Sequence, residues 1–153
     1  MTPAAALGVV ASIVALAVLL GLVYRLRNGQ VRRVSAERVR PAELPGSPGF
    51  GESLTLLQFS TEFCAPCRQT ARLLGGVSAA RSGVAHVELD VTDDLDTVRR
   101  FNILRTPTTL VLDEKGAVVG RISGAPRSDE LDAFLAELLE EAGPAKEVTD
   151  VRN

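Results

Sequence analysis

The stretch Thr61-Glu62-Phe63-Cys64-Ala65-Pro66-Cys67-Arg68 decides how this chain is read, because it holds the only two cysteines among 153 residues. The apolar run Leu54-Thr55-Leu56-Leu57-Gln58-Phe59 precedes it and reads as a buried central strand. The segment after it reads as a helix. A helix N-terminus carries roughly half a positive charge, which favours a thiolate over a thiol at Cys64. A second thiol one helical turn away converts that nucleophile into one half of a reversible disulfide couple. Pro66 falls in the first turn, where its missing N–H costs nothing, and it stiffens the loop between the sulfurs.

The bulk composition narrows the alternatives. Two cysteines cannot build a disulfide framework of the kind that staples small secreted domains. A structural zinc site needs four ligands, and the chain has one CxxC and a single histidine, His86. Charge is unevenly spread. Residues 25–49 carry six arginines against Glu37 and Glu43, a net +4, whereas residues 50–153 carry 11 basic and 17 acidic side chains, a net −6. An acidic domain argues against nucleic acid as a partner. The basic stretch sits beside an apolar segment, so an anionic lipid surface is its natural neighbour.

That apolar segment runs from Ala4 to Tyr24 without a charge, 21 residues in all. As a helix it would span roughly 31 Å, against a hydrocarbon core of about 30 Å. Tyr24 and Arg25 stand where an interfacial aromatic and a snorkelling cation are expected. A cleaved signal peptide is the competing reading, but Met1-Thr2-Pro3 lacks a basic n-region and Leu22-Val23-Tyr24-Arg25 is a poor cleavage site. A buried core helix would not be apolar on every face. The expectation is a single-pass anchor over residues 1–24. With all nearby arginines C-terminal to the span, the positive-inside rule places the remainder in the cytoplasm; an extracytoplasmic domain is the alternative. Residues 25–52, rich in arginine and broken by Pro41, Pro45, Gly46, Pro48, Gly49 and Gly51, read as a linker from which the domain floats. Residues 53–142 read as the domain and 143–153 as a disordered tail.

Within the domain, the helix after Cys64 carries Leu73 and Leu74 and is expected to stop at Gly75-Gly76. Val84–Asp90 alternates as a strand. Leu95, Val98 and Phe101 mark one face of a short helix. Thr108–Leu112 is a β-branched strand, Asp113-Glu114-Lys115-Gly116 a hairpin turn, and Ala117–Ile122 the returning strand. Ser128 is a plausible N-cap for a last helix burying Leu131, Phe134, Leu135, Leu138 and Leu139. The order predicts an α/β fold, a mixed sheet with helices on both faces.

That order, with Phe63-Cys64-Ala65-Pro66-Cys67 on the first βα turn and Arg105-Thr106-Pro107-Thr108 before the hairpin, resembles the thioredoxin fold. The motifs lie 40 residues apart, counted from Cys67 to Pro107, as in compact thioredoxins. The resemblance covers about residues 50–142. With the N-terminal span, the whole chain is similar to membrane-anchored bacterial thioredoxin-like proteins. It implies thiol–disulfide exchange in which Cys64 attacks and Cys67 resolves, with no cofactor or metal. It implies a cis Pro107 that leaves the Thr106 backbone free to pair with an extended substrate; a trans, strand-starting proline is the plainer reading. Phe63, Ala65, Pro66, Thr106 and Pro107 would form the substrate groove. Three positions depart from the pattern: Phe63 replaces the usual tryptophan, Gln58 the buried aspartate, and Glu88 stands near the place of its lysine partner. Ala65-Pro66 resembles the Gly-Pro of reductases more than the Pro-His of strong oxidants, which predicts a reducing couple.

The implied partners are protein disulfides, an upstream reductase or membrane electron carrier, and the lipid bilayer. A non-catalytic redox-sensing or binding module and a Cu(I)-handling dithiol are the other function classes. Gln58 is placed to donate near Cys67 or to be a satisfied core amide. His86 reads as structural. Glu62 and Arg68 read as solvated charges that could also tune the thiolate. Asp93, Asp94 and Asp96 sit at a helix start, where acidic side chains suit the dipole.

Overall fold

A computed structural model describes residues 3–27, 29–34, 38–46 and 48–142; the expected disordered tail, 143–153, lies outside them. Helix α1 spans Pro3–Arg27. Its apolar window, Leu7–Tyr24, is exposed throughout, and among the described residues it is the one helix long and apolar enough to cross a membrane. Exposure on all sides removes the core-helix reading. A membrane span and a signal sequence both share this length and composition.

The sheet has five strands in the order β1-β5-β4-β2-β3. They are β1 (Val31–Arg33), β2 (Leu54–Ser60), β3 (Val84–Asp90), β4 (Thr108–Asp113) and β5 (Val118–Ser123). Only β2 and β3 run parallel; the other pairs are antiparallel. The parallel pair is joined by the crossover helix α2 (Ala65–Ala80), as parallel strands require. Helices α3 (Leu95–Arg100) and α4 (Ser128–Ala142) complete the fold.

Side-chain alternation on β2 divides the core. Leu54 and Leu56 join Leu74 and Val77 of α2 and Leu131, Phe134, Leu135 and Leu138 of α4 on one face. Leu57 and Phe59 join Val87, Leu89, Phe101 and Leu110 on the other, where Val98 of α3 packs. Every residue of β2 is buried, which is why that strand reads as a mostly apolar run rather than an alternating one. The turn after β4 is built by Asp113, whose carboxylate accepts from the Lys115 and Ala117 N–H groups, with Gly116 at φ +77°.

Two expectations are corrected. The helix expected to stop at Gly75-Gly76 continues to Ala80. Val77 is buried beside Leu74, and that packing outweighs roughly 1 kcal/mol per helical glycine. The stretch expected as a floating linker, 25–52, is in part built into the domain. Val31–Arg33 pairs with β5 as an edge strand, Arg38 bridges to Ala117, and a 3₁₀ turn occupies Pro41–Glu43. Val39 and Leu44 belong to the core cluster on the α3 face. Three residues reading Val-Arg-Arg carry no alternation; the strand exists because β5 offers an open edge.

Candidate active site: a disulfide at a helix tip

The end of β2 delivers the chain into a tight turn in which the Cys64 N–H donates to the Thr61 carbonyl at 3.2 Å. Cys64 then caps α2: its Sγ accepts the Cys67 N–H at 3.1 Å. That contact stabilises a negative sulfur at the helix tip. The two sulfurs are bonded to each other, 2.03 Å apart. Cys64 keeps 8% of its surface exposed and Cys67 1%, so Cys64 is the sulfur an incoming group reaches first. Ala65 and Pro66 are exposed beside it.

The cis-proline loop meets the same edge. The Thr106–Pro107 peptide is cis, as the resemblance implied. The Thr106 and Thr61 hydroxyls lie 3.3 Å apart and tie this loop to the turn before Cys64. The Pro107 carbonyl accepts from the Gly124 N–H at 2.8 Å, and the Thr108 hydroxyl donates to the Arg105 carbonyl at 2.8 Å. Pro107 itself is buried, with Thr106 half-buried above it.

Beneath Cys67, Gln58 takes the place of a buried carboxylate. Its Nε2 donates to the Cys67 carbonyl at 3.0 Å and to Glu88 Oε1 at 3.4 Å. Its Oε1 lies 3.1 Å from His86 Nε2. An amide oxygen only accepts, so His86 carries its proton on Nε2 and donates. Parallel pairing makes this cluster: Gln58 is opposite Glu88, and Leu56 opposite His86. Gln58 cannot exchange a proton at physiological pH, so it positions the Cys67 backbone rather than deprotonating the thiol.

Burial holds His86 below its ordinary pKa of 6.5, and the nearby Glu88 charge opposes this only in part. A histidine kept neutral in the fold but protonated when unfolded makes stability rise with pH between its two pKa values. Its contribution is intact above about 6.5 and is lost as pH falls from there toward the folded value. Unfolding free energy measured by hydrogen exchange should therefore fall between pH 7 and pH 5, above the range where carboxylates titrate. A His86→Gln variant should flatten that slope; an unchanged slope would show that another group carries it.

The remaining candidates play local roles. Asp94 caps α3, accepting the Thr97 N–H at 3.0 Å; the Thr97 hydroxyl first and its N–H second hold the Asp94 carboxyl below the usual range. Glu62 and Arg68 are exposed, and the Glu62 N–H donates to the Thr92 hydroxyl. Sequence reasoning missed Leu104, which is 83% exposed in the loop leading to Pro107 and rivals Phe63 at 88%. An isolated leucine next to Ile103 carries no pattern that would single it out.

A disulfide at the tip of the first crossover helix, faced by a cis-proline loop across a mixed sheet, defines a thiol–disulfide oxidoreductase with the thioredoxin fold. The family model described as Thioredoxin matches residues 51–137, and the chain belongs to the thioredoxin family. It is similar to the thioredoxin of Pongo abelii, 32% identical over 89 residues that cover 58% of this chain and 83% of that protein. Thioredoxin C-2 of Corynebacterium nephridii is 35% identical over 85 residues, covering 55% and 78%. The crystal structure of a thioredoxin from Nicotiana alata superposes with a TM-score of 0.50 at 29% identity, covering 56% of this chain and 73% of that one.

Proposed function

We propose that this protein is a membrane-tethered disulfide reductase, of the kind found as anchored thioredoxin-like proteins in bacteria. The observation that carries the catalytic assignment is the asymmetry of the two sulfurs: Cys64 is the outer one and the acceptor of the Cys67 N–H. In the reduced protein, the Cys64 thiolate attacks a substrate disulfide, forms a mixed disulfide and releases one substrate thiolate. Cys67 then loses its proton and attacks Cys64. The Cys64–Cys67 bond closes and the second substrate thiolate leaves. Two electrons and two protons pass to the substrate, and an upstream reductase or membrane electron carrier restores the dithiol. Phe63, Ala65, Pro66, Thr106 and Pro107 form the groove that receives the substrate segment, and Gln58 positions Cys67 from below.

The tether is α1. Its uninterrupted apolar surface, exposed on every side, supports a membrane span. The arginines that follow favour a cytoplasmic domain. Two measurements test the proposal. Cys67→Ser should accumulate mixed disulfides with client proteins, visible as higher-mass bands that dithiothreitol removes and that vanish when Cys64 is also replaced. Bands that survive Cys64 replacement would contradict the assignment. The intact protein should stay with membranes through alkaline carbonate extraction; release into the supernatant would overturn the tether.

A further inference from the structure

The domain is leashed to α1 by the very edge that carries the disulfide. Only Asn28 separates Arg27, the last residue of α1, from Gly29. Gly29 is buried, sits at φ +78°, and donates its N–H to the Ser123 carbonyl at 2.9 Å. A Cβ there would come within 2.1 Å of the Ala125 carbonyl oxygen, so the chain is seated closely at this point. Ser123 pairs with Thr108, and Gly124 binds the Pro107 carbonyl. Thr106 contacts Thr61, which accepts from Cys64. A continuous run of hydrogen bonds thus joins the exit of α1 to the CxxC turn.

Chain length fixes the distance. Three helical residues from Tyr24 to Arg27 rise about 4.5 Å. Two more residues to Gly29 reach at most roughly 7 Å. Gly29 therefore lies no more than about 12 Å from the hydrocarbon boundary, where the headgroup layer is itself roughly 5–8 Å thick. The far end of the sheet, where Leu54 pairs with Asp113, is about 20 Å further along the strands.

The chemistry of this edge suits that placement. Arg32 on β1 stands directly opposite Arg121 on β5, a like-charge pairing that destabilises a sheet unless something offsets it. The two line a cavity of about 420 Å³ with Gln30, Val34, Arg105 and Ser123, and among the described residues no acidic side chain lines it. The Arg121 guanidinium also donates to the Phe101 and Asn102 carbonyls. Leu104, next to Arg105 in the chain, and Phe63, next to Cys64, expose their side chains. Residues 29–142 carry 13 basic and 17 acidic side chains, a net −4; against that acidic background, and with Glu62 exposed beside Phe63, this arginine-lined corner is the part that an anionic headgroup surface attracts.

We propose that the protein holds its Cys64–Cys67 edge at the bilayer surface, so that its exchange partner is a cysteine pair presented at the water–lipid boundary by an integral membrane protein. This rests on α1 being a membrane anchor. Soluble proteins reach the disulfide poorly from that position.

The test uses the reduced full-length chain in vesicles of phosphatidylcholine and phosphatidylglycerol. A variant with about 20 Gly/Ser residues inserted between Asn28 and Gly29 provides a leash of roughly 25 Å. One disulfide peptide is offered at matched concentration either coupled to lipid headgroups or free in solution. The native chain should reduce the coupled peptide roughly ten-fold or more faster than the free one, because anchoring raises the effective concentration at the edge. The extended variant should lose most of that preference, while in detergent both chains reduce the free peptide equally. Equal preference in the two vesicle-bound chains would overturn this proposal and leave the anchor standing. Failure of the native chain to float with the vesicles would overturn the anchor, and this proposal with it.

Discussion

Replacing Cys64 with serine is expected to lower insulin disulfide reduction to the uncatalysed background of dithiothreitol alone. The fold should survive, because serine fills nearly the same space at the helix cap and its oxygen still accepts the Cys67 N–H. What disappears is the nucleophile: thiol–disulfide exchange requires a thiolate, and a serine hydroxyl does not ionise at neutral pH. Cys67 cannot substitute for it. It is 1% exposed, and its carbonyl is held from below by Gln58. Residual activity above background in the serine variant would mean that Cys67 or another group attacks directly, and the order of the two sulfurs in the mechanism would have to be reversed.

The second large effect is on stability. Phe59 is fully buried on the central strand, and its ring lies 5.2 Å from that of Phe101. Phe59→Ala removes an aromatic side chain from a core that cannot collapse around the gap, at a cost of roughly 3–5 kcal/mol. Domains of this size have only about 5–15 kcal/mol in total. Hydrogen exchange at the slowest amides of β2 and β4 should accelerate in proportion, since central strands open only with the whole fold. Phe59 precedes the CxxC turn by a few residues, so exchange activity should fall with the folded fraction. A loss below about 1 kcal/mol would mean that the core on the α3 face is less tightly packed than it looks.

Much of the architecture was readable because local signals and tertiary packing agree. Leu54–Phe59 is predominantly apolar, with Thr55 and Gln58 the only polar residues, because β2 is covered on both faces. Asp113 and Gly116 mark the hairpin because that turn needs an Asx acceptor and a left-handed residue. Cys64, Cys67 and Pro107 were legible as residue types that few other structures require at that spacing. Where the sequence misled, a long-range contact outweighed a local rule. Gly75-Gly76 stays helical because Leu74 and Val77 are buried around it. Val31–Arg33 becomes a strand only because β5 is open, and Val39 and Leu44 reach the core from a stretch whose prolines suggested a tether. Gln58 stood out by its spacing from Cys64. That it binds His86 and Glu88 as well follows from parallel register between β2 and β3, which no single-strand pattern encodes.

The most direct measurement is an equilibrium redox titration of the intact protein. Free thiols are alkylated at a series of reduced-to-oxidised dithiothreitol ratios, and the products are counted by mass. Cys64 and Cys67 acting as one couple should appear as a single two-electron step in which both thiols become reactive together. The midpoint should lie nearer the thioredoxin value of about −270 mV than the DsbA value of about −120 mV. Two separate one-thiol steps, or cysteines that stay bonded under every reducing condition, would contradict the account.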